Sequence, residues 1–165
     1  MTPAHVHLLV NHFPLIGTVI GFLLLLGSKW SGSRAASNAA LSVLAFSGLM
    51  AIPAHFSGEA AEEMLEQSAQ FNEALVEEHE ERAKVFMLAM LALGLSATAA
   101  LLAEIWKPGL FAFKHWLVAA IAAVGLFLAV PTGSSGGAIM HPEIREGAAS
   151  QTTPPPAERN AEDEE

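Results

Sequence analysis

The chain has 165 residues, of which 52% are hydrophobic and 15% charged, with a formal net charge of −9. Its polar residues lie in short stretches between long apolar ones, a pattern typical of an integral membrane protein. The absence of cysteine excludes disulfides, cysteine-ligated iron–sulfur clusters and covalent c-type haem attachment within the chain. The negative charge and the lack of a basic patch exclude nucleic acid as the expected partner.

Four apolar stretches are each long enough to cross a hydrocarbon core about 30 Å thick as a helix. They run over about residues 8–27, 35–55, 85–105 and 111–131. The first, starting near Thr2, is predicted to be a retained helix rather than a signal peptide, because no basic segment precedes it and it contains His12 and Pro14. The predicted fold is all-α: an integral membrane up-down four-helix bundle over residues 1–146.

The segment between the second and third spans, residues 56–82, is strongly acidic, with nine glutamates and a single arginine. Its apolar side chains recur at helical spacing, which indicates an amphipathic helix: Met64, Phe71 and Leu75, followed by His79. Spans two and three are therefore predicted to continue outside the membrane as a helical hairpin, with its turn between Gln67 and Asn72.

The region after the fourth span is predicted to be irregular. Residues 131–145, PTGSSGGAIMHPEIR, are rich in glycine and predict an exit loop. Residues 147–165 are small, acidic and rich in proline, which predicts a flexible tail.

Basic residues indicate the orientation of the spans. The first and third loops carry Lys29, Arg34, Lys107 and Lys114, with tryptophans beside them at Trp30, Trp106 and Trp116. The positive-inside rule places these loops in the cytoplasm. The expected location is the bacterial inner membrane, with both termini and the acidic segment outside.

Six of the seven histidines then fall on the outer side: His5, His7, His12, His55, His79 and His141. Histidine is the commonest metal ligand near neutral pH, and ionisable groups at membrane depth are costly enough to suggest a function. His5 and His7 are expected to be auxiliary to the site at most, with His7 an interfacial side chain, and His115 on the other side is expected to be interfacial. The remaining four come one from each helix or its extension.

In an up-down bundle, alternate helices face each other diagonally. His12 is therefore expected to approach His79, and His55 to approach His141. Facing imidazoles suit a b-type haem, whose iron takes two axial ligands from the protein. One or two b haems held by these four histidines are predicted, and a quinone is a further candidate cofactor.

Two alternatives use other features of the chain. Glutamates close to the histidines would suit a zinc, manganese or non-haem iron site or a transport function: Glu59, Glu62, Glu78 and Glu143. A cofactor-free accessory subunit would instead use the acidic segment to dock a larger complex. No nucleophile–base pair or phosphate loop is apparent, so an enzyme acting on its own is not predicted.

Several segments together resemble a widespread uncharacterised bacterial family of four-span membrane proteins. They are HVHLLVNHFP at residues 5–14, S-G-E after span two, the histidine before span three, and G-G-x-x-x-H at residues 136–141. The likeness covers residues 4–145, with departures at Val6 and Asn11. Family members are sometimes fused to Rieske or c-type cytochrome domains.

The resemblance implies membrane electron transfer and carries over His12, His55, His79 and His141 as haem ligands. The expected protein is a cytochrome b-like subunit that links quinol in the bilayer to an extracytoplasmic carrier. Its expected partners are membrane lipid and a larger redox complex or a basic c-type cytochrome, which the acidic segment would attract.

Overall fold

The computed structural model describes residues 1–67, 72–107 and 113–145, and within these ranges the chain is helical and contains no strand. It has six α-helices: α1 (Pro3–Val10), α2 (His12–Ser31), α3 (Arg34–Leu49), α4 (Ala51–Leu65), α5 (Glu73–Trp106) and α6 (Lys114–Met140). A short 3-10 helix, Pro142–Ile144, follows.

Four helical runs are long and apolar enough to cross a membrane: Pro3–Ser31, Arg34–Leu65, Glu73–Trp106 and Lys114–Met140. The prediction of an all-helical chain with four such helices is confirmed. The up-down topology and the extension beyond the membrane stay predictions. The predicted turn largely falls on residues 68–71, outside the described residues, as do the predicted tail and the predicted start of the fourth span at residue 111.

Proline interrupts the first two runs. The break between α1 and α2 is at Asn11, and the break between α3 and α4 is at Met50. Each break lies three residues before a proline, Pro14 or Pro53. Proline has no N–H, so the carbonyl four residues before it loses its helical hydrogen bond. The first span, predicted as one helix, is therefore two helices joined at Asn11.

The predicted glycine-rich loop after the fourth span is wrong over most of its length, because α6 continues through Pro131 to Met140. A side chain that follows the helix in sequence caps its C-terminal end. Arg145 donates from Nε to Ala138 O at 2.8 Å and from its terminal nitrogen to Ile139 O at 3.0 Å. These bonds satisfy carbonyls that a helix end otherwise leaves unpaired. Packing and capping therefore outweigh the low helix propensity of glycine.

The core is built where α3 meets α2 and α5, with α6 packed on α5 and α2. Its fully buried large side chains are Leu25, Leu41, Leu44, Met90, Leu93 and Val118, and alanines fill the space between them. The backbones of two helices approach closely at Gly48 on α3 and Gly94 on α5. A Cβ atom built on Gly48 would lie 2.4 Å from Gly94 Cα. Small residues permit such packing in lipid, where the hydrophobic effect contributes little to helix association.

The turn between α2 and α3 lies at one end of the helices, and Gly32 in this turn adopts a φ of 64°. Glu104 is buried there and forms ion pairs with Lys114 at 2.6 Å and Arg34 at 3.6 Å. His115, expected to be interfacial, is 7% exposed. Helix packing turns the first residues of α6 inward.

The contact between Gly48 and Gly94 generates a stability prediction. Gly48→Ala should lower the free energy of unfolding by about 1–3 kcal/mol, because the added methyl group forces two backbones apart. The measurement is denaturant unfolding of the purified protein in detergent, followed by circular dichroism. The matched control is Gly27→Ala, since a Cβ there meets no atom within 4 Å. Equal stability of the two variants would contradict the close approach.

Candidate paired-imidazole site

His7 on α1 is held by α4, which belongs to the second of the four helical runs. Its Nδ1 lies 3.0 Å from Ala54 O and 3.3 Å from Ser57 Oγ, both on α4. A carbonyl oxygen only accepts hydrogen bonds, so His7 Nδ1 carries the hydrogen. Ser57 Oγ also donates to Ala54 O at 3.0 Å. The three groups form what we call the first anchor.

His79 on α5 is held in the same way by α6. Its Nδ1 lies 3.2 Å from Thr132 O and 3.1 Å from Ser135 Oγ. Ser135 Oγ donates to Thr132 O at 3.0 Å. This second anchor therefore repeats the first, with an imidazole, a carbonyl and a serine hydroxyl in the same relation.

A repeated hexapeptide produces the two anchors. The pattern P-x-x-x-S-G occurs at residues 53–58 and again at residues 131–136. In each copy the residue after proline supplies the carbonyl, and the serine three residues later lies on the same helix face. Sequence reasoning assigned His7 no role, and this internal repeat is the signal that would have identified it.

The glycine that ends each hexapeptide lies against the imidazole. A Cβ atom on Gly58 would be 3.2 Å from His7 Cε1, and one on Gly136 would be 2.9 Å from His79 Cε1. Both distances are shorter than an ordinary carbon–carbon contact of about 3.5–4.0 Å. Glycine therefore allows each ring to lie close to the neighbouring helix.

The anchors determine the chemistry that the rings present. With hydrogen on Nδ1, neutral His7 and neutral His79 each carry a free lone pair on Nε2, which is the atom available to a metal or to a hydrogen-bond donor. Both side chains are half-buried. The two anchors orient imidazoles from two different helical runs, Pro3–Ser31 and Glu73–Trp106.

His12 and His55 have partners close by in sequence. His12, the first residue of α2, is exposed, and its Nδ1 donates to Leu8 O on α1 at 2.9 Å. His55 on α4 lies with Nε2 3.4 Å from Glu59 Oε1, one turn along the same helix.

His141 directly follows the last residue of α6 and is exposed, with Nδ1 2.9 Å from Glu143 Oε1. Hydrogen bonds from its own backbone and from His141 hold the pKa of the Glu143 carboxyl below its ordinary value. At the start of the chain, His5 Nδ1 lies 2.7 Å from Thr2 Oγ1. These exposed histidines have local partners near the chain ends.

Across residues 1–67, 72–107 and 113–145, no three His, Cys, Asp or Glu side chains are grouped so that they could hold one metal ion. The four histidines predicted as ligands are therefore not gathered into a single metal-ion site. His79 is the one of these four that an anchor orients.

The glutamates of α4 and α5 lie next to this region. The charges of Glu59, Glu66 and Glu80 all act on Glu62, so carboxylates from both helices form a common acidic surface. Two of the α5 glutamates are neutralised along their own helix, Glu78 by Arg82 at 2.5 Å and Glu80 by Lys84 at 2.9 Å.

Comparisons with family models, curated proteins and solved structures found no match to this chain.

The anchors predict the tautomers of two histidines. In ¹⁵N-labelled protein above the imidazole pKa, His7 and His79 should give the neutral form protonated at Nδ1, because a carbonyl accepts from that atom. The measurement is ¹⁵N NMR of the imidazole nitrogens, with signals assigned from His7→Gln and His79→Gln. Nε2-protonated signals for either residue would contradict its anchor.

Proposed function

We propose that this protein is a cytochrome b-like membrane electron-transfer subunit, and that His7 and His79 are the axial ligands of one b-type haem. The observation that carries the proposal is the duplicated anchor, which orients two imidazoles in the same way from two different spans. Ligating histidines commonly donate their second ring nitrogen to a carbonyl, which sets the tautomer and orients the ring.

The number of ligands favours haem over other metal groups. A bis-histidine haem takes two side chains from the protein because the porphyrin occupies the other positions on the iron. Structural zinc sites take four protein ligands and catalytic zinc sites three, and the described residues hold no such group. When bound, the haem supplies a reversible one-electron couple. The two anchors supply its ligands and their orientation.

The glycines support the same assignment. Gly58 and Gly136 let each imidazole lie close to its supporting helix. The serines limit rotation of each ring, because Nδ1 of each histidine lies near both a carbonyl and a hydroxyl. Side chains of facing helices are a common source of cofactor ligands in helix bundles.

The four-histidine set predicted from the sequence shares His79 with this pair. We retain the proposed setting of the site: the bacterial inner membrane, with the histidines toward the outer face and the lysine-bearing loops inside. Electrons would pass between quinol in the bilayer and a carrier outside. The acidic surface of α4 and α5 would attract a basic c-type cytochrome or a larger redox complex.

A reduced-minus-oxidised spectrum tests the proposal. The protein purified from haem-replete cells should show an α band on reduction, and pyridine haemochrome should quantify one haem per chain. His7→Gly and His79→Gly should each remove at least nine-tenths of the band, because each variant lacks one axial ligand. Added imidazole should restore the band in both glycine variants by replacing the missing ring.

His55→Ala and His141→Ala are the matched controls and should keep the band. Loss of the band in these variants, with retention in His7→Gly, would support the sequence-predicted ligand set and refute the pair. No band in any preparation would refute the haem assignment and leave the two alternatives, a cofactor-free accessory subunit and a His/Glu metal-binding or transport protein.

The proposed partner predicts a salt dependence. The association rate with a basic c-type cytochrome should fall at least tenfold between low and physiological ionic strength, because screening weakens long-range attraction between exposed charges. Stopped-flow mixing measures this rate. Replacing Glu59, Glu62 and Glu66 with glutamine should reduce both the rate and its salt dependence. An unchanged rate would exclude this acidic surface as the docking site.

A further inference from the structure

A cleft opens between α5 and α6 beside the second anchor. Its volume is about 260 Å³, and its lining consists of Glu81, Arg82, Val85, Leu128, Pro131 and Thr132. Residues 85 and 131 are the predicted outer ends of the third and fourth spans. Val85 is 54% exposed on the side of α5 that would face lipid. The cleft would therefore open to the bilayer at its outer boundary.

The lining has two chemical parts. Val85, Leu128 and Pro131 make an apolar floor, and Glu81, Arg82 and Thr132 make a polar rim. The Arg82 guanidinium already has partners, since it donates to Pro131 O at 3.2 Å and pairs with Glu78.

Glu81 differs from Glu78 and Glu80 on the same helix. Glu78 and Glu80 pair with cations along the helix, whereas no hydrogen bond or ion pair joins Glu81 to any other residue in the described ranges. It lies one turn before Val85, at the start of the lipid-facing side. Its carboxylate oxygens are therefore available to a hydrogen-bond donor in the cleft.

The cleft also adjoins the proposed redox site. Thr132 lines it, and the carbonyl of Thr132 is the acceptor that holds His79 in the second anchor. A molecule in the cleft would thus be separated from the His79 imidazole by a single residue. This position suits a reaction partner that exchanges electrons with a group held by His79.

We infer that this cleft binds the ring headgroup of an isoprenoid quinol, an inference that rests on the proposed function for its redox role. A cavity of about 150 Å³ is large enough for benzene, so a substituted ring fits the volume available. The apolar floor matches the ring face, and the opening to lipid leaves room for the isoprenoid tail. The polar rim matches the ring hydroxyls.

Glu81 gives the cleft a preference for the reduced ring. An ionised carboxylate only accepts hydrogen bonds. A quinol hydroxyl donates to it, whereas the carbonyl of a quinone brings a second acceptor to the same place. The quinol should therefore bind about tenfold more tightly than the quinone. A hydrogen bond to a charged group commonly contributes enough free energy for such a ratio of affinities.

The test measures equilibrium binding of a short-chain benzoquinol and of its quinone to the protein in nanodiscs, by titration calorimetry under anaerobic conditions. Glu81→Gln should reduce the preference for quinol to twofold or less. Leu128→Trp should weaken binding at least tenfold by filling the cleft. The matched control, Val124→Trp, lies one turn away on an exposed part of α6 and should bind as the unaltered protein does.

An azido-quinol photoprobe provides a second readout, and its label should map to residues 81–85 and 128–132. Equal binding of quinol and quinone, an unaffected Leu128→Trp variant, or displacement of the probe by simple alkanes would overturn the inference. Alkane displacement would identify an acyl-chain groove. Quinol binding is read from calorimetry and photolabelling and does not depend on the haem absorbance, so its failure is distinguishable from the absence of an α band, which refutes the proposed function alone.

Discussion

A hydrocarbon environment offers no water to pair with backbone N–H and C=O groups, so a membrane-spanning segment must satisfy them internally. Much of this molecule follows from that requirement. Its described spans are helical, and hydroxyl side chains bond back to the helix, as Thr18 does to Pro14 O at 2.6 Å and Ser47 to Val43 O at 2.8 Å. Near Pro14 and Pro53 the helix breaks, at Asn11 and Met50, and resumes one residue later, whereas α6 continues through Pro131.

The anchors use the same backbone groups for another purpose. A carbonyl oxygen has two lone pairs, so Ala54 O and Thr132 O can each accept bonds beyond the helical one. His7 donates to Ala54 O and His79 donates to Thr132 O, and each histidine lies on the preceding span. Hydrogen bonds of this kind strengthen in a low-dielectric interior. The result ties spans one and two together at one place, and spans three and four together at the equivalent place.

Close packing of helix backbones joins the first pair of spans to the second. The backbone of α3 approaches that of α5 at Gly48 and Gly94, and this contact brings the two halves of the chain against each other. Charge is segregated as well, with the acidic surface of α4 and α5 near the imidazoles and the Glu104 ion pairs at the other end.

The amino-acid sequence alone predicted an all-helical chain with four helices long and apolar enough to cross a membrane, because apolar runs of sufficient length leave a chain little choice in lipid. It also included His79 among the proposed ligands. Only the tertiary structure identified His7 as its counterpart, extended α6 through the glycine-rich segment, and buried His115. The physical reason is the same in each case: a side chain's role depends on the neighbouring helix. Spacing along one helix does not report which carbonyl, hydroxyl or glycine another helix brings beside it.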